Sequence, residues 1–203
     1  CDVIAGAKAL GISSSAAHSE ATYAEILAAK EAGLTHLTHY GNAMTGLHHR
    51  EIGMVGSGLI DDELKIELIC DGIHLAPDFV QMVFKVKPIE QIIMISDSMA
   101  GSWINNGECS LGGLEVVVEN KVARLKHGGA LAGSALVFDE GVGIVAQITG
   151  LPLHQIVKTT SWNQAQSLGL ENHGKIEKGF TGDIAILSKK FKSTATFVDG
   201  QQR

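Results

Sequence analysis

Four short apolar runs in the first half of the chain each stop at a histidine or an aspartate, and this pattern limits the fold most. Residues 12–17 lead into His18, residues 34–38 into His39, residues 65–70 into Asp71 with His74 three positions on, and residues 91–96 into Asp97. Runs of this length, bounded by turn residues, read as buried strands. Helical pieces separate them. Thr22-x-x-Glu25 is a capping box ahead of an alanine-rich stretch that ends at Gly33. Pro77 suits the first turn of a helix over residues 77–86. Strand–helix–strand units make a parallel sheet. In a doubly wound sheet the site lies at a single switch point, whereas a (β/α)8 barrel presents the C-terminal end of every strand to one catalytic face. Strands that all deliver His or Asp therefore favour an α/β chain forming part of a TIM-like barrel.

Beyond Asp97 the pattern changes. Residues 114–118 and 122–126, joined through Glu119-Asn120, predict an antiparallel hairpin inserted near 114–126. Leu131-Ala132-Gly133-Ser134 is expected to open a helix running to about residue 148, with Ser134 as its N-cap. Residues 153–167 predict another helix, Gly169, Gly174 and Gly179 punctuate a loop, and residues 183–187 and 194–198 read as closing strands. The expected division is a partial barrel over 1–174 and a strand unit over 175–203. A whole barrel takes about 250 residues, and the chain opens at Cys1 in mid-pattern, so a piece of a longer protein is expected.

The net charge of −6 argues against a nucleic-acid or membrane-surface binder, which needs a basic face. No secretory signal and no apolar run long enough to span a bilayer is present. Cys1, Cys70 and Cys109 lack CxxC spacing and form an odd set, the pattern of reduced thiols in a cytoplasmic protein.

An imidazole at a strand end can ligate a metal, and a loop such as Gly41-Asn42 with the Arg50 fork nearby can hold a phosphate. A carboxylate such as Asp97 beside a metal can move a proton. Each group has a plainer reading: solvated strand-end histidines, an aspartate bonded to loop amides, a loop at 131–134 with no ligand role. His36 lies three residues before His39, so strand alternation turns it to the opposite side, where it reads as structural. His48 and His49 flank Arg50, and His127, His154 and His173 have no partnered spacing.

In combination, His18-Ser19-x-Ala21, Thr38-His39-x-x-Asn42-Ala43-Met44, Arg50-Glu51-x-Gly53, Asp71-Gly72-x-His74, Ser96-Asp97, Leu131-Ala132-Gly133-Ser134 and Gly182-Asp183 resemble the N-acetylglucosamine-6-phosphate deacetylases of the amidohydrolase superfamily. The resemblance covers essentially all of this chain and the C-terminal half to two-thirds of the family's length. It implies a metal-dependent amide hydrolase that removes the acetyl group from N-acetylglucosamine 6-phosphate, with His18 and His39 ligating a divalent metal (zinc, or iron as the second choice). Asn42 and Ala43 would meet the sugar phosphate with Arg50 as its guanidinium partner. The Asp71-Gly72-Ile73-His74 turn would contact substrate, Asp97 would be the catalytic acid/base, and Leu131-Ala132-Gly133 would border the sugar. The last strands would join a small β-sandwich, and the parent would be a homodimer. Ala17, Ile52, Ser96, Ser98 and Gln164 depart from the family's usual residues. The family's metal-binding glutamate belongs to a segment this chain does not contain. The alternatives are a catalytically incomplete half-barrel, or an amidohydrolase acting on another amide.

Overall fold

The computed structural model describes residues 1–203. Its first half is α1 (Asp2–Ala9), β1 (Ser14–Ala16), α2 (Tyr23–Ala32), β2 (Leu34–Leu37), α3 (Gly53–Ile60), β3 (Lys65–Ile69), α4 (Pro77–Val86) and β4 (Ile92–Ile95). The four strands pair in chain order and all in parallel. This is the pairing of consecutive strands in a TIM-like barrel. The α/β expectation holds.

Local chemistry sets the helix ends. Thr22 accepts from the Glu25 amide while the Glu25 carboxylate takes the Thr22 amide, so the capping box forms. Pro77 occupies the first position of α4, whose range matches the expected one. Between sheet and helices lies a core in which Leu37, Ile66, Leu68 and Ile92 are fully buried. Each such side chain contributes about 1.5–3 kcal/mol relative to an exposed one. Ile156, also buried, extends this core into the second half of the chain.

α3 has no counterpart in the sequence reading because Gly53, Gly56 and Gly58 weaken the helical signal. Its glycines are there for packing: a Cβ on Gly58 would lie 2.4 Å from the Tyr40 ring. Tyr40 is itself fully buried, with its hydroxyl donating to the Val55 carbonyl of α3.

Three expectations need correction. The insertion is a three-stranded antiparallel meander, not only a hairpin: β5 (Gly107–Leu111) adds to β6 (Leu114–Glu119) and β7 (Val122–Leu125). The exposed, mixed-polarity face of β5 hid it. Next, α5 runs Phe138–Thr149 and does not start at Ser134, whose side chain instead accepts from the Leu136 amide two residues on. Last, residues 153–167 do not form one helix. They break into α6 (Leu153–Ile156), a 3-10 turn over Val157–Thr160, and α7 (Trp162–Ser167). The Thr160 and Ser161 hydroxyls bond back to the Val157 carbonyl there, a local competitor of helix. The chain closes with β8 (Ile184–Leu187), β9 (Ser193–Val198) and β10 (Gln201–Gln202) in a separate antiparallel sheet. No helix is long and apolar enough to cross a membrane, and all three cysteines are free.

Lys87, just after α4, is only 3 % exposed, and its ammonium donates to the Asp61 carbonyl. Burial pushes its pKa down to about 8. A folded-state value below that of the unfolded chain means the charged form opposes folding at neutral pH. Stability then rises as pH climbs from about 8 to the unfolded value. In urea titrations, wild type should gain on Lys87→Met by about 3 kcal/mol between neutral and strongly alkaline pH, the fall from 10.5 to about 8 taken at 1.36 kcal/mol per unit. An unchanged gap would mean that the amine pays no burial penalty.

Candidate active site

The sheet ends that carry the candidate groups share an unusual backbone. His18, His39 and Asp97 have φ of 45, 35 and 50°, and Ala43 has 49°. Left-handed geometry at non-glycine residues costs about 1–3 kcal/mol each, and it concentrates at functional sites. Against a typical domain stability of about 5–15 kcal/mol, four such residues need tertiary restraint.

Neighbouring strands supply it. The Thr38 amide donates to the Ala16 carbonyl (3.0 Å), just ahead of His39. The Tyr40 amide, just after His39, donates to Glu67 O (2.7 Å). Beyond His18, the Ser19 amide donates to Ala43 O (3.1 Å) and the Thr45 amide returns to Ser19 O (3.2 Å). At Asp97 the carbonyl accepts from the Ser134 amide (2.9 Å). Each residue is thus turned out of its strand by hydrogen bonds to the adjacent strand or loop.

The result brings His18 and His39 together, with ring centroids 4.6 Å apart. His39 Nδ1 is buried without a hydrogen-bond partner. A buried imidazole nitrogen in that condition fits a missing ligand interaction. The chain brings no third His, Cys, Asp or Glu into the group, so it presents two donors of the usual four of a tetrahedral site. His36 points elsewhere: it is 7 % exposed, contacts Ser167 Oγ, and burial holds its imidazole below the usual value.

The remaining candidates separate into two sets. Asn42 folds back on His39 O through both its amide and its Nδ2 (3.0 Å each), so it shapes the turn that carries Ala43. His74 Nδ1 lies 2.7 Å from Asp71 Oδ2. Asp71 Oδ1 accepts from the amides of Ile73 and His74. Burial alone would raise the Asp71 carboxyl, but these hydrogen bonds from His74 and the two amides outweigh it and hold the carboxyl below its ordinary range. His74 borders a cavity of ≈ 440 Å³ lined also by Gly41, Met44, Leu75 and Phe79. Gly72 and Ile73 are exposed on the turn.

Leu131, Ala132 and Gly133 stitch the meander to the barrel. Ala132 donates to Ala123 O in β7, and Ser134 pairs in parallel with Ser98 beyond β4. Gly133 has φ 61°, and a Cβ there would meet the Met99 side chain at 2.9 Å, so a larger residue would force Met99 to shift. Arg50, by contrast, is exposed on a two-residue turn between His48 and Glu51, with its guanidinium on the His49 ring (2.7 Å). No hydrogen bond joins it to Asn42 or Ala43. The carboxylate of the next residue, Glu51, takes the amides of both Tyr23 and Gly53 (2.9 Å each), pinning the starts of α2 and α3. That role and the bridging of Ser134 escaped the sequence reading, since both depend on partners far along the chain.

Comparison with known proteins follows the same outline. The chain is 37 % identical over 193 residues to an N-acetylglucosamine-6-phosphate deacetylase of Lysinibacillus sphaericus, covering 95 % of this chain and 50 % of that protein. It is 34 % identical over 164 residues to a putative N-acetylgalactosamine-6-phosphate deacetylase of Escherichia coli K12, covering 80 % of this chain and 97 % of that one. The crystal structure of an N-acetylglucosamine-6-phosphate deacetylase from Thermotoga maritima superposes with a TM-score of 0.94 at 36 % identity, over 99 % of this chain and 55 % of that one. The chain therefore spans about half the length of two of these relatives. The amidohydrolase family model matches residues 4–203, and the chain belongs to that family.

Proposed function

We propose that this chain forms one side of the active site of a metal-dependent amide hydrolase that converts N-acetylglucosamine 6-phosphate to glucosamine 6-phosphate and acetate. The observation that carries the reading is the pair His18–His39 beyond β1 and β2 and the Asp97 carboxylate beyond β4 of the same sheet, all on left-handed backbone. Relatives named for this activity match 95 % and 99 % of the chain.

An amide is a poor electrophile, and its amine must leave protonated. His18 and His39 would hold a divalent metal, zinc or iron. When bound, such an ion lowers the pKa of water toward about 7 and polarises the carbonyl. Asp97 would take the proton of the attacking water and return it to the nitrogen. The loop of Asn42 and Ala43 would receive the phosphate, while the 131–133 segment and the Asp71–His74 turn would border the sugar. Arg50, exposed on its turn, would supply charge to the phosphate. The parent protein would act as a homodimer.

The Escherichia coli relative gives a specific second reading, the galactosamine epimer. Assay of both acetylated sugar phosphates decides between the two epimers.

In the full-length protein, Asp97→Asn should lower turnover by at least about a hundredfold, the usual scale of general acid–base catalysis. Near wild-type turnover would remove Asp97 from the chemistry. Arg50→Ala should chiefly raise KM for the phosphorylated sugar by about one to two decades, since a charged hydrogen bond is worth roughly 1.5–3 kcal/mol. An equal loss with the unphosphorylated sugar would make Arg50 a structural residue. The 203-residue chain alone, with two donors, should retain little zinc after dialysis and show no deacetylation. Stoichiometric zinc would mean that donors within this chain complete the site.

A further inference from the structure

The Asp71–His74 pair is more specific than a shared substrate contact. Every acceptor position that the structure shows in use on Asp71 is turned inward. Oδ1 takes the Ile73 and His74 amides at 2.8 and 2.9 Å. Oδ2 faces His74 Nδ1 at 2.7 Å and also receives the Ser134 hydroxyl at 3.3 Å. Both side chains of the pair are 7 % exposed, and Ser134 is 1 % exposed. A carboxylate set up this way has little left to offer a ligand. His74 Nε2, by contrast, makes no hydrogen bond within the chain and is not among the sealed, unpartnered atoms.

We propose that Asp71 is a positioning residue that fixes His74 in the tautomer protonated on Nδ1, leaving Nε2 as the ring atom that meets the ligand. The inference rests on the reading of His74 as a substrate-facing residue and deepens it. An ionised carboxylate only accepts hydrogen bonds, so the Nδ1 that faces it carries the proton. In the neutral ring Nε2 then presents a lone pair, which suits a hydroxyl or N–H of a sugar. In the charged ring it presents an N–H, which suits a phosphate. Asp71 touches neither group; it decides what His74 shows them. A carboxylate that sets the tautomer and orientation of an imidazole is a recurring device in hydrolytic sites. Ser134 donates to the same Oδ2 and has no hydrogen bond to the ring.

The isosteric change Asp71→Asn tests this. Its Oδ1 keeps both backbone amides, so the turn is preserved. Its amide nitrogen takes the place of Oδ2 and offers a donor, which requires a bare Nδ1 and drives the proton to Nε2. The measurement is the pair of ring-nitrogen NMR shifts of His74 in a histidine-labelled chain at alkaline pH. Its signals are identified by their loss in His74→Gln. Wild type should show the proton on Nδ1, Asp71→Asn should show it on Nε2, and Ser134→Ala should match wild type. A wild-type proton on Nε2 would overturn the assignment without reference to any variant. So would an unchanged tautomer in Asp71→Asn, or inversion in Ser134→Ala, either of which would mean that packing and not the carboxylate sets the ring. The experiment uses no substrate, so its outcome is independent of whether the chain's parent deacetylates an amino sugar.

Discussion

Hydrogen bonds that leave the ends of the parallel strands carry the face that presents the candidate groups. Within the sheet, backbone groups pair strand to strand, and the apolar side chains of Leu37, Ile66, Leu68 and Ile92 seal it against the helices. At the C-terminal ends the ladder stops, and the next amide reaches across: Tyr40 to Glu67 O, Ser134 to Asp97 O. These cross-links turn His39 and Asp97 out of the strand direction into left-handed backbone. A buried amide or carbonyl left unpaired costs free energy comparable to a lost hydrogen bond. Undoing the strained turn would break such pairs, and the strain persists.

The two ends of the sheet have different chemistry for the same reason. The C-terminal end collects two imidazoles, an aspartate and the His74–Asp71 pair. The N-terminal end gathers Lys30 between Asp61 and Glu63, with Lys87 buried beside them on the Asp61 carbonyl. In barrels of this kind the first end works on ligands and the second stabilises. The pairing of Lys30 with Asp61 and Glu63 is internal, while the buried Lys87 lowers stability at neutral pH.

Two of the departures, at Ile52 and Gln164, can be followed through their backbone and hydrogen bonds. Gln164 Nε2 donates to Met94 O and Thr159 O, while its Oε1 is buried without a partner. Beside it, Asn163 donates to Ile89 O and Ile92 O, so the two side chains tie α7 to β4 and to the turn ahead of it. Ile52 adopts φ −79° ahead of α3, a value close to what proline would impose.

Short-range features were legible in the residues. The capping box at Thr22, the proline start at Pro77, the apolar runs and the residues that end them depend on neighbours a few positions apart, and they appear where they were expected. The pairing of His18 with His39 followed from parallel strands of similar length, because equivalent strand ends lie side by side. Long-range features were not legible. α3 packs a glycine against Tyr40, and β5 pairs along the edge of β6. The predicted helix at 153–167 broke where hydroxyls found nearer carbonyls. The left-handed turn at Asp97 and the orientation of His74 depend on Ser134 and Asp71, partners brought together only when the sheet forms. Periodicity identifies which residues reach the face; the hydrogen bonds between strand ends decide which way each of them points.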